Sequence, residues 1–129
     1  MAMQKNISED FIVMSPDKQA SIEPRDAGLY QRLDEKYSGF AGHDLIACYS
    51  FRQSWPTWEM HPHGDEVVML LEGEVTFVLK LNGEEVSQAL TDAGAYVVVP
   101  KGVWHTARVE SFARVLFITP GEGTRNEPV

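Results

Sequence analysis

Three histidines and one glutamate are the residues of this sequence with the clearest chemical potential. His61 and His63 stand one residue apart in "EMHPHGDEVVMLLEG", Glu66 follows shortly after them, and His105 lies in "KGVWHTARV". Side chains two positions apart in a strand point to the same face, so we expect His61 and His63 to face together. Three imidazoles and a carboxylate suit a divalent transition metal such as Fe, Mn, Ni, Cu or Zn. If the fold brings these four side chains together, they would form a metal site that keeps a position open for water or substrate.

The carboxylate that would complete this site is ambiguous in the sequence. Strict alternation from His61 and His63 points Asp65 inward and Glu66 outward. A bulge or turn at Gly64 would instead bring Glu66 inward. Both carboxylates therefore remain candidates. The alternative for the histidines is a site without metal, in which they only form hydrogen bonds.

Glu59 shares the parity of the two histidines and could therefore be a second inward carboxylate. Such a group could act as a general base or as a partner for an imidazole N–H. The alternative is a solvated side chain on a twisted strand. Tyr49 and Phe51 could form an apolar wall of the site, although core packing explains them equally well. His43, in the "SGFAGHD" loop, is expected to be a turn residue and not a ligand.

The elements that must position these residues are short strands. From Asp44 onward the segments "DLIACYSF", "EVTFVLKL", "EEVSQAL" and "ARVLFIT" have the composition of strands, and Asn82-Gly83 predicts a type I′ hairpin turn. About eight such strands without helical crossovers indicate a closed barrel or a double-sheet jelly roll. Before them we expect a short strand in "DFIVMS" and a short helix in "RDAGLYQRLDEKY". The closing "PGEGTRNEPV" is expected to be mobile.

Two ordered motifs resemble those of the cupin superfamily. His61, His63, Glu66 and Gly73 follow the first motif, and "GAYVVVPKGVWHTARV" follows the second with Gly94, Pro100, Gly102 and His105. The resemblance implies an all-β double-stranded β-helix, that is, a jelly-roll barrel, with a short N-terminal helix. It places the barrel at residues 44–120, an irregular segment packed on it at 1–43, and a tail at 121–129. The implied metal ligands are His61, His63, Glu66 and His105.

Three positions depart from the family pattern. Trp55 stands where the first motif begins with glycine, and Val109 replaces the asparagine that ends the second. Only Gly64 and Asp65 separate His63 from Glu66, which is one residue fewer than the family spacing. The missing residue puts the inward orientation of Glu66 in question.

Composition limits the classes of partner. The chain has 129 residues, enough for one domain, and a formal net charge of −8 without a basic cluster. We therefore expect binding neither to nucleic acid nor to an anionic membrane. The sequence shows no secretory signal, and its single cysteine, Cys48, fits a reducing cytoplasm.

The function that this pattern favours is that of a small metal-dependent enzyme. By resemblance, its reaction would be of the dioxygenase type or of the lyase or isomerase type, on a small oxygenated organic molecule. The alternative is a non-catalytic module that binds or senses a small molecule in the same pocket. The resemblance also implies a homodimer, with the N-terminal strand around residues 10–14 added to the partner's sheet.

Overall fold

The computed structural model describes residues 4–129. In this range the chain forms mainly β-strands. Its one α-helix in this range, α1, spans Leu29–Lys36 and is followed by a 3₁₀ turn at Ser38–Phe40. The strands are β1 Asp10–Met14, β2 Ala20–Pro24, β3 Asp44–Phe51, β4 Thr57–Met60, β5 Glu66–Gly73, β6 Val75–Leu81, β7 Glu84–Leu90, β8 Tyr96–Val99, β9 His105–Arg108, β10 Ala113–Thr119 and β11 Arg125–Pro128.

The strands form two antiparallel sheets that face each other. One sheet has the order β2-β1-β3-β10-β5-β8, and the other has the order β11-β4-β9-β6-β7. Neighbours in each sheet are frequently distant in the chain, which is the arrangement of a jelly roll. The all-β jelly-roll prediction with a short N-terminal helix is therefore confirmed.

The main core lies between the two sheets. Inward residues alternate with half-exposed ones along β5 and β10, where Val68, Leu70 and Val115 are fully buried. Phe77 of β6 meets them from the opposite sheet and is also fully buried. This alternation is what a sheet with one buried face requires. The predicted hairpin at Asn82-Gly83 is confirmed, because both residues have positive φ and the turn joins β6 to β7.

The N-terminal segment is more regular than expected. β1 pairs with β2 on one side and with β3 on the other, so it extends the six-stranded sheet of its own chain. It has no free edge, in contrast to the expectation that it would join a partner's sheet. Helix α1 packs on this extension through Leu29 and Leu33, which are both buried.

The C-terminal residues also differ from the expectation of a mobile tail. Arg125–Pro128 form β11, which pairs with β4 along its whole length. Every residue of β11 is exposed, so the strand carries no apolar alternation that a sequence pattern could reveal. Backbone pairing with β4 decides its conformation. No helix among residues 4–129 is long and apolar enough to cross a membrane.

Candidate metal centre

Four side chains from three strands meet at one end of the space between the sheets. Glu59 lies in β4 and His61 directly follows it, Glu66 is the first residue of β5, and His105 is the first residue of β9. Glu59 and His105 are direct cross-strand partners. One potential ligand atom from each of the four residues lies within 4.8 Å of the others. The group combines two imidazoles with two carboxylates and is called here the His/Glu cluster.

The donor atoms of the His/Glu cluster point toward a shared space and not along hydrogen bonds to one another. His61 Nε2 lies 3.1 Å from Glu59 Oε1 and 3.3 Å from Glu66 Oε2, and His105 Nε2 lies 3.0 Å from Glu66 Oε1. These atoms are close enough for ion pairs but out of line for hydrogen bonds. His61 Nε2, His105 Nε2 and Glu66 Oε1 are therefore buried without a hydrogen-bond partner. Buried polar atoms are rarely left in this state unless a ligand satisfies them.

The outer ring nitrogens of both histidines are held by other residues. His105 Nδ1 lies 3.2 Å from the carbonyl oxygen of Val103 and donates to it. Thr124 Oγ1 donates to the Gly121 carbonyl, so its lone pairs accept the Nδ1–H of His61 at 2.8 Å. With Nδ1 protonated, Nε2 of each ring is the atom that can bind a metal. Such outer contacts are typical of metal-binding histidines.

Charge is concentrated at Glu66 and His61. Burial alone would raise the pKa of Glu66, but His105 and His61 outweigh it and lower the pKa to about 2. Burial alone would lower the pKa of His61, but Glu59 and Glu66 outweigh it and raise the pKa to about 9. Glu66 is thus an anion that also accepts a hydrogen bond of 2.6 Å from Thr119 Oγ1. A metal ion at this place would replace the proton on His61 Nε2.

The donor set fits a divalent transition metal. Two imidazole nitrogens and up to two carboxylate oxygens are ligands that such ions accept. His61, Glu66 and His105 are at most 3% exposed, whereas Glu59 is 29% exposed and lies toward the open side. The orphaned donor atoms and the fixed outer nitrogens are the observations that support this fit. The His/Glu cluster could therefore hold a metal ion.

His63 does not enter the His/Glu cluster. Strand β4 ends at Met60, and Pro62-His63 form a turn, so the alternation that would align His63 with His61 stops before it. His63 is exposed and lines a neighbouring polar cavity of about 380 Å³ together with His43 and Glu122. The structure thus brings together His61, Glu66 and His105 of the four predicted ligands, and adds Glu59.

The bend at Gly64 decides between the two adjacent carboxylates. Glu66 is 1% exposed and lies inside, whereas Asp65 is exposed and accepts a hydrogen bond of 2.7 Å from the Lys101 backbone N–H. A Cβ atom at Gly64 would lie only 2.9 Å from Pro120. Glycine is therefore needed here for the close approach of Pro120 and not for a left-handed conformation.

A cavity of about 650 Å³ leads to the His/Glu cluster. Thr57, Glu59 and His61 line it from β4 and its end, so the predicted inward parity of Glu59 agrees with its position. Tyr49 and Phe51 line it as well, and they also pack against the core. The N-terminal segment contributes Tyr30 from α1, which no motif indicated.

Trp55 occupies the position where the family motif has glycine, and its ring fills space beside the cluster. The ring centroid lies 6.1 Å from that of His105 and 6.0 Å from that of Phe117. The sequence already indicated that this position is unusual, because a large ring stands where the family motif has a residue without a side chain. Val109, the other departure, is buried, and its backbone N–H donates to Ser54 Oγ.

Fold and site together define a jelly-roll protein with a candidate metal centre between its sheets. A family model described as "Cupin domain" matches residues 52–119, which is more than half of the chain. The protein therefore belongs to the cupin family. No curated protein sequence matches the chain.

Solved structures similar to this one include two of oxalate oxidase. One has 20% sequence identity and a TM-score of 0.52 and covers 63% of this chain and 44% of that chain. The other, in complex with the substrate analogue glycolate, has 18% identity and a TM-score of 0.53 and covers 64% and 45%. Peruvianin-I, described as a cysteine peptidase from Thevetia peruviana latex, has 16% identity and a TM-score of 0.54 and covers 67% and 56%.

These likenesses show the shared fold. The chain spans less than half the length of the oxalate oxidase chains. Proteins described as an oxidase and as a peptidase share the fold, so function has to be argued from the site of this chain.

Proposed function

We propose that the protein is a metal-dependent enzyme in which His61, Glu66 and His105 bind one divalent transition metal ion. The observation that carries the proposal is the convergence of three buried donor atoms that lack hydrogen-bond partners. Their side chains contact one another at 3.0–3.3 Å without forming aligned hydrogen bonds, and a metal ion between them would satisfy all three donor atoms. The metal is Fe, Mn, Ni, Cu or Zn, which share a preference for these ligands.

The residues around the donors would hold them in place. Thr124 and the Val103 carbonyl fix the two imidazole rings, and Thr119 orients the Glu66 carboxylate. When bound, the metal supplies a Lewis acid that polarises a substrate oxygen or activates dioxygen. The apolar walls of the cavity exclude water from that place.

Glu59 is proposed as the fourth ligand or as the general base. Its Oε1 atom lies 3.1 Å from His61 Nε2, yet its side chain is 29% exposed at the cavity. A carboxylate in that position can reach both the metal and a proton of a bound substrate. The proposed reaction is dioxygenase-like, or lyase- or isomerase-like, on a small oxygenated organic molecule.

Metal analysis of purified protein after reconstitution tests this proposal. We expect about one equivalent of Fe, Mn, Ni, Cu or Zn in the wild type and less than about a tenth in His105→Ala. His63→Ala is the matched control and should keep its metal, because His63 lies outside the His/Glu cluster. A metal-free wild type would refute the proposal. If His63→Ala loses its metal and Glu59→Gln keeps it, His63 and not Glu59 is a ligand.

Turnover separates the enzyme from the alternative function. A metal-loaded protein that binds small oxygenated molecules and converts none of them, with or without dioxygen, would be a binding or sensing module. His105→Ala would then leave ligand affinity nearly unchanged. In the proposed enzyme, the same substitution abolishes turnover, because the substrate oxygen has lost its Lewis acid.

The proposed working unit is a homodimer formed through the outer face of the six-stranded sheet. One register row across this face is apolar in every strand and consists of Ile22, Ile12, Ile46, Ile118, Val67 and Val98. A second row contains Leu116, Met69 and Tyr96. We call these nine residues the outer apolar face. Ile22, Val98 and Tyr96 are each 46–60% exposed.

A second copy of the chain is the occupant that fits this face best. Six strands spaced about 4.8 Å apart make the row roughly 24 Å wide, which is close to the width of a patch of about 800 Å² per partner. The nine residues carry no charge, so two copies of a chain with net charge −8 could approach here without placing like charges in contact. Two-fold pairing of one patch with itself is the commonest mode of association.

A cytoplasmic location remains the proposal for the cell compartment. Cys48 is 2% exposed and unpaired, and burial raises the pKa of its thiol. A buried neutral thiol fits a reducing environment and needs no oxidant. Fractionation with a tagged full-length chain would test it.

A further inference from the structure

The walls of the 650 Å³ cavity are mainly aromatic and aliphatic. Tyr49, Phe51, Trp55 and Phe117 form a continuous group of rings beside the His/Glu cluster. Centroid distances of 5.6–6.3 Å link each of these rings to at least one other. A cavity of this size and lining encloses a molecule of one or two rings better than a two-carbon acid, which would leave apolar surface wet.

Apart from His61, the charged side chains that line the cavity are carboxylates. Asp34, Glu59 and Glu66 contribute carboxylates to the lining, whereas none of the lining residues described in the structure is a lysine or an arginine. A divalent ion in the His/Glu cluster would be balanced by Glu59 and Glu66. With that charge balanced, an anionic ligand would lose its hydration and would find no lysine or arginine in the lining to replace it.

Arg25 is a cation that approaches the cavity without lining it. Its guanidinium carbon lies 5.0 Å from the ring centroid of Tyr49 and 5.7 Å from that of Phe11. One guanidinium nitrogen also donates to the Ser8 carbonyl. Arg25 is therefore engaged with ring faces and backbone and does not offer a carboxylate site in the cavity.

Neutral hydroxyls complete the lining. Tyr30 of α1 and Tyr49 of β3 are hydrogen-bonded through their hydroxyl groups, and both residues line the cavity. Thr57 and Asn126 add further uncharged polar groups. The cavity thus offers hydrogen bonds to a neutral oxygenated molecule and an apolar wall to its ring.

We infer that the cavity takes an uncharged, ring-containing molecule whose oxygen atoms reach the His/Glu cluster, and that it discriminates against small carboxylates. The inference rests on the proposed metal centre for the polar end of the ligand. The inferred ligand differs from glycolate, the substrate analogue bound in the structurally similar oxalate oxidase. The discrimination comes from the carboxylate of Asp34, from a lining without lysine or arginine, and from the apolar rings.

The test compares two single-ring ligands that differ in charge. Metal-loaded full-length protein is titrated by calorimetry with catechol, which is neutral at pH 7, and with salicylate, which is an anion. Oxalate and glycolate are titrated in parallel, and metal content is measured on every sample after dialysis. We expect catechol to bind at least about tenfold more tightly than salicylate, and oxalate and glycolate to bind more weakly still.

Asp34→Arg provides the matched variant. Asp34 is exposed on α1 and lines the cavity, so an arginine there should tighten salicylate binding by about threefold or more and leave catechol nearly unchanged. Asp92→Arg makes the same change in charge at an exposed turn outside the lining and should alter neither affinity. Equal salicylate affinity in the two variants would contradict the role given to charge in the cavity.

The outcomes separate this inference from the proposed function. Salicylate, oxalate or glycolate binding as tightly as catechol to a protein that retains its metal overturns the inference alone, as does a failure of catechol to bind. A wild type without metal overturns the proposed function. The binding of catechol and salicylate to the metal-free protein is then compared through the fluorescence of Trp55, with Trp55→Phe as control. An unchanged preference for catechol would still support the inference that the cavity favours an uncharged ring.

Discussion

Thr119 and Thr124 make the outer contacts of the His/Glu cluster, although neither belongs to a motif. Thr119 ends β10 and donates to Glu66, while Thr124 precedes β11 and accepts from His61. Each hydroxyl fixes the orientation of a donor atom that would otherwise rotate. The chemistry of the centre therefore depends on residues distant from His61 in the sequence.

Replacing either hydroxyl should weaken metal binding while the fold is kept. We expect Thr124→Val and Thr119→Val each to lower metal affinity by about 10-fold to 100-fold, because the imidazole or carboxylate loses its fixed orientation. Competition with a chromogenic chelator measures the change. Thr76→Val, at a half-exposed position of β6, is the control and should leave the affinity unaltered. Wild-type affinity in both site variants would show that these contacts do not orient the donors.

Gly64 is the residue at which packing sets the position of Glu66, a proposed ligand. A methyl group there would lie 2.9 Å from Pro120, so we expect Gly64→Ala to lower the free energy of unfolding by about 1–3 kcal/mol. Metal affinity should fall with it, since Glu66 begins the strand that follows. Chemical denaturation and the chelator assay measure the two effects. Gly28→Ala, whose Cβ meets nothing closer than 3.8 Å, should change neither one.

At the scale of elements, a buried carboxylate ties β2 to α1. Glu23 is 2% exposed and accepts hydrogen bonds of 2.8 Å from Arg32 Nε and from Lys36 Nζ. Burial alone would raise the pKa of Glu23, but Lys36, Tyr37 and Arg32 outweigh it and lower the pKa to about 2. The contact fixes α1, and α1 carries Tyr30 and Asp34 into the cavity wall.

This ion pair should make stability depend on pH in a defined range. The pKa of Glu23 is lower in the folded chain than its ordinary value of 4.5, so its stabilisation is complete above pH 4.5 and is lost as pH falls through about 2. The contribution is at most about 3 kcal/mol. We expect Glu23→Gln to be less stable than the wild type at pH 7, with a difference that shrinks toward pH 2. Denaturant titrations at several pH values measure it, and a difference that stays constant with pH would contradict this assignment.

The edge strands β2 and β11 show how strands form without an apolar sequence pattern of their own. β11 is exposed at every position and is held by its backbone pairing with β4. β2 contains "ASIEP", in which only Ile22 is a β-branched aliphatic residue, and it pairs with β1 residue by residue. Local propensity is weak in both segments, and the adjacent strand supplies the missing determinant.

At the scale of the whole molecule, the outer apolar face predicts the oligomeric state. We expect the wild type to sediment with twice the mass of one chain at micromolar concentration. The double variant Tyr96→Glu/Val98→Glu should sediment as a monomer, because it places carboxylates on a self-paired surface. Both positions are exposed, so the fold should tolerate the change. Val129→Glu, exposed and outside the face, is the control, and a monomeric wild type would rule out the proposed interface.

The cavity and the His/Glu cluster are likewise properties of the whole molecule. Both sheets, α1 and the loop before β11 contribute to the lining. Because opposite walls come from distant parts of the chain, the cavity can change through helix packing as well as through the motif residues. This is why the charge of an exposed helix residue such as Asp34 is expected to alter ligand preference.

The sequence by itself determined the fold class, the hairpin at Asn82-Gly83 and the participation of His61 and His105 in a common region. Alternation of apolar residues, turn residues with positive φ and two spaced motifs are local signals, so they can be read from the chain alone. The inward parity of Glu59 followed from the same alternation.

Only the tertiary structure decided which carboxylates join the histidines. Alternation ends where a strand ends, so the turn after Met60 carries His63 outward and the bend at Gly64 brings Glu66 inward. Pro120, which lies far along the chain, packs against this bend so closely that a Cβ at Gly64 would lie 2.9 Å from it. The positions of Trp55, Thr124 and β11 also depend on long-range packing and pairing, and no local pattern of residues encodes those contacts.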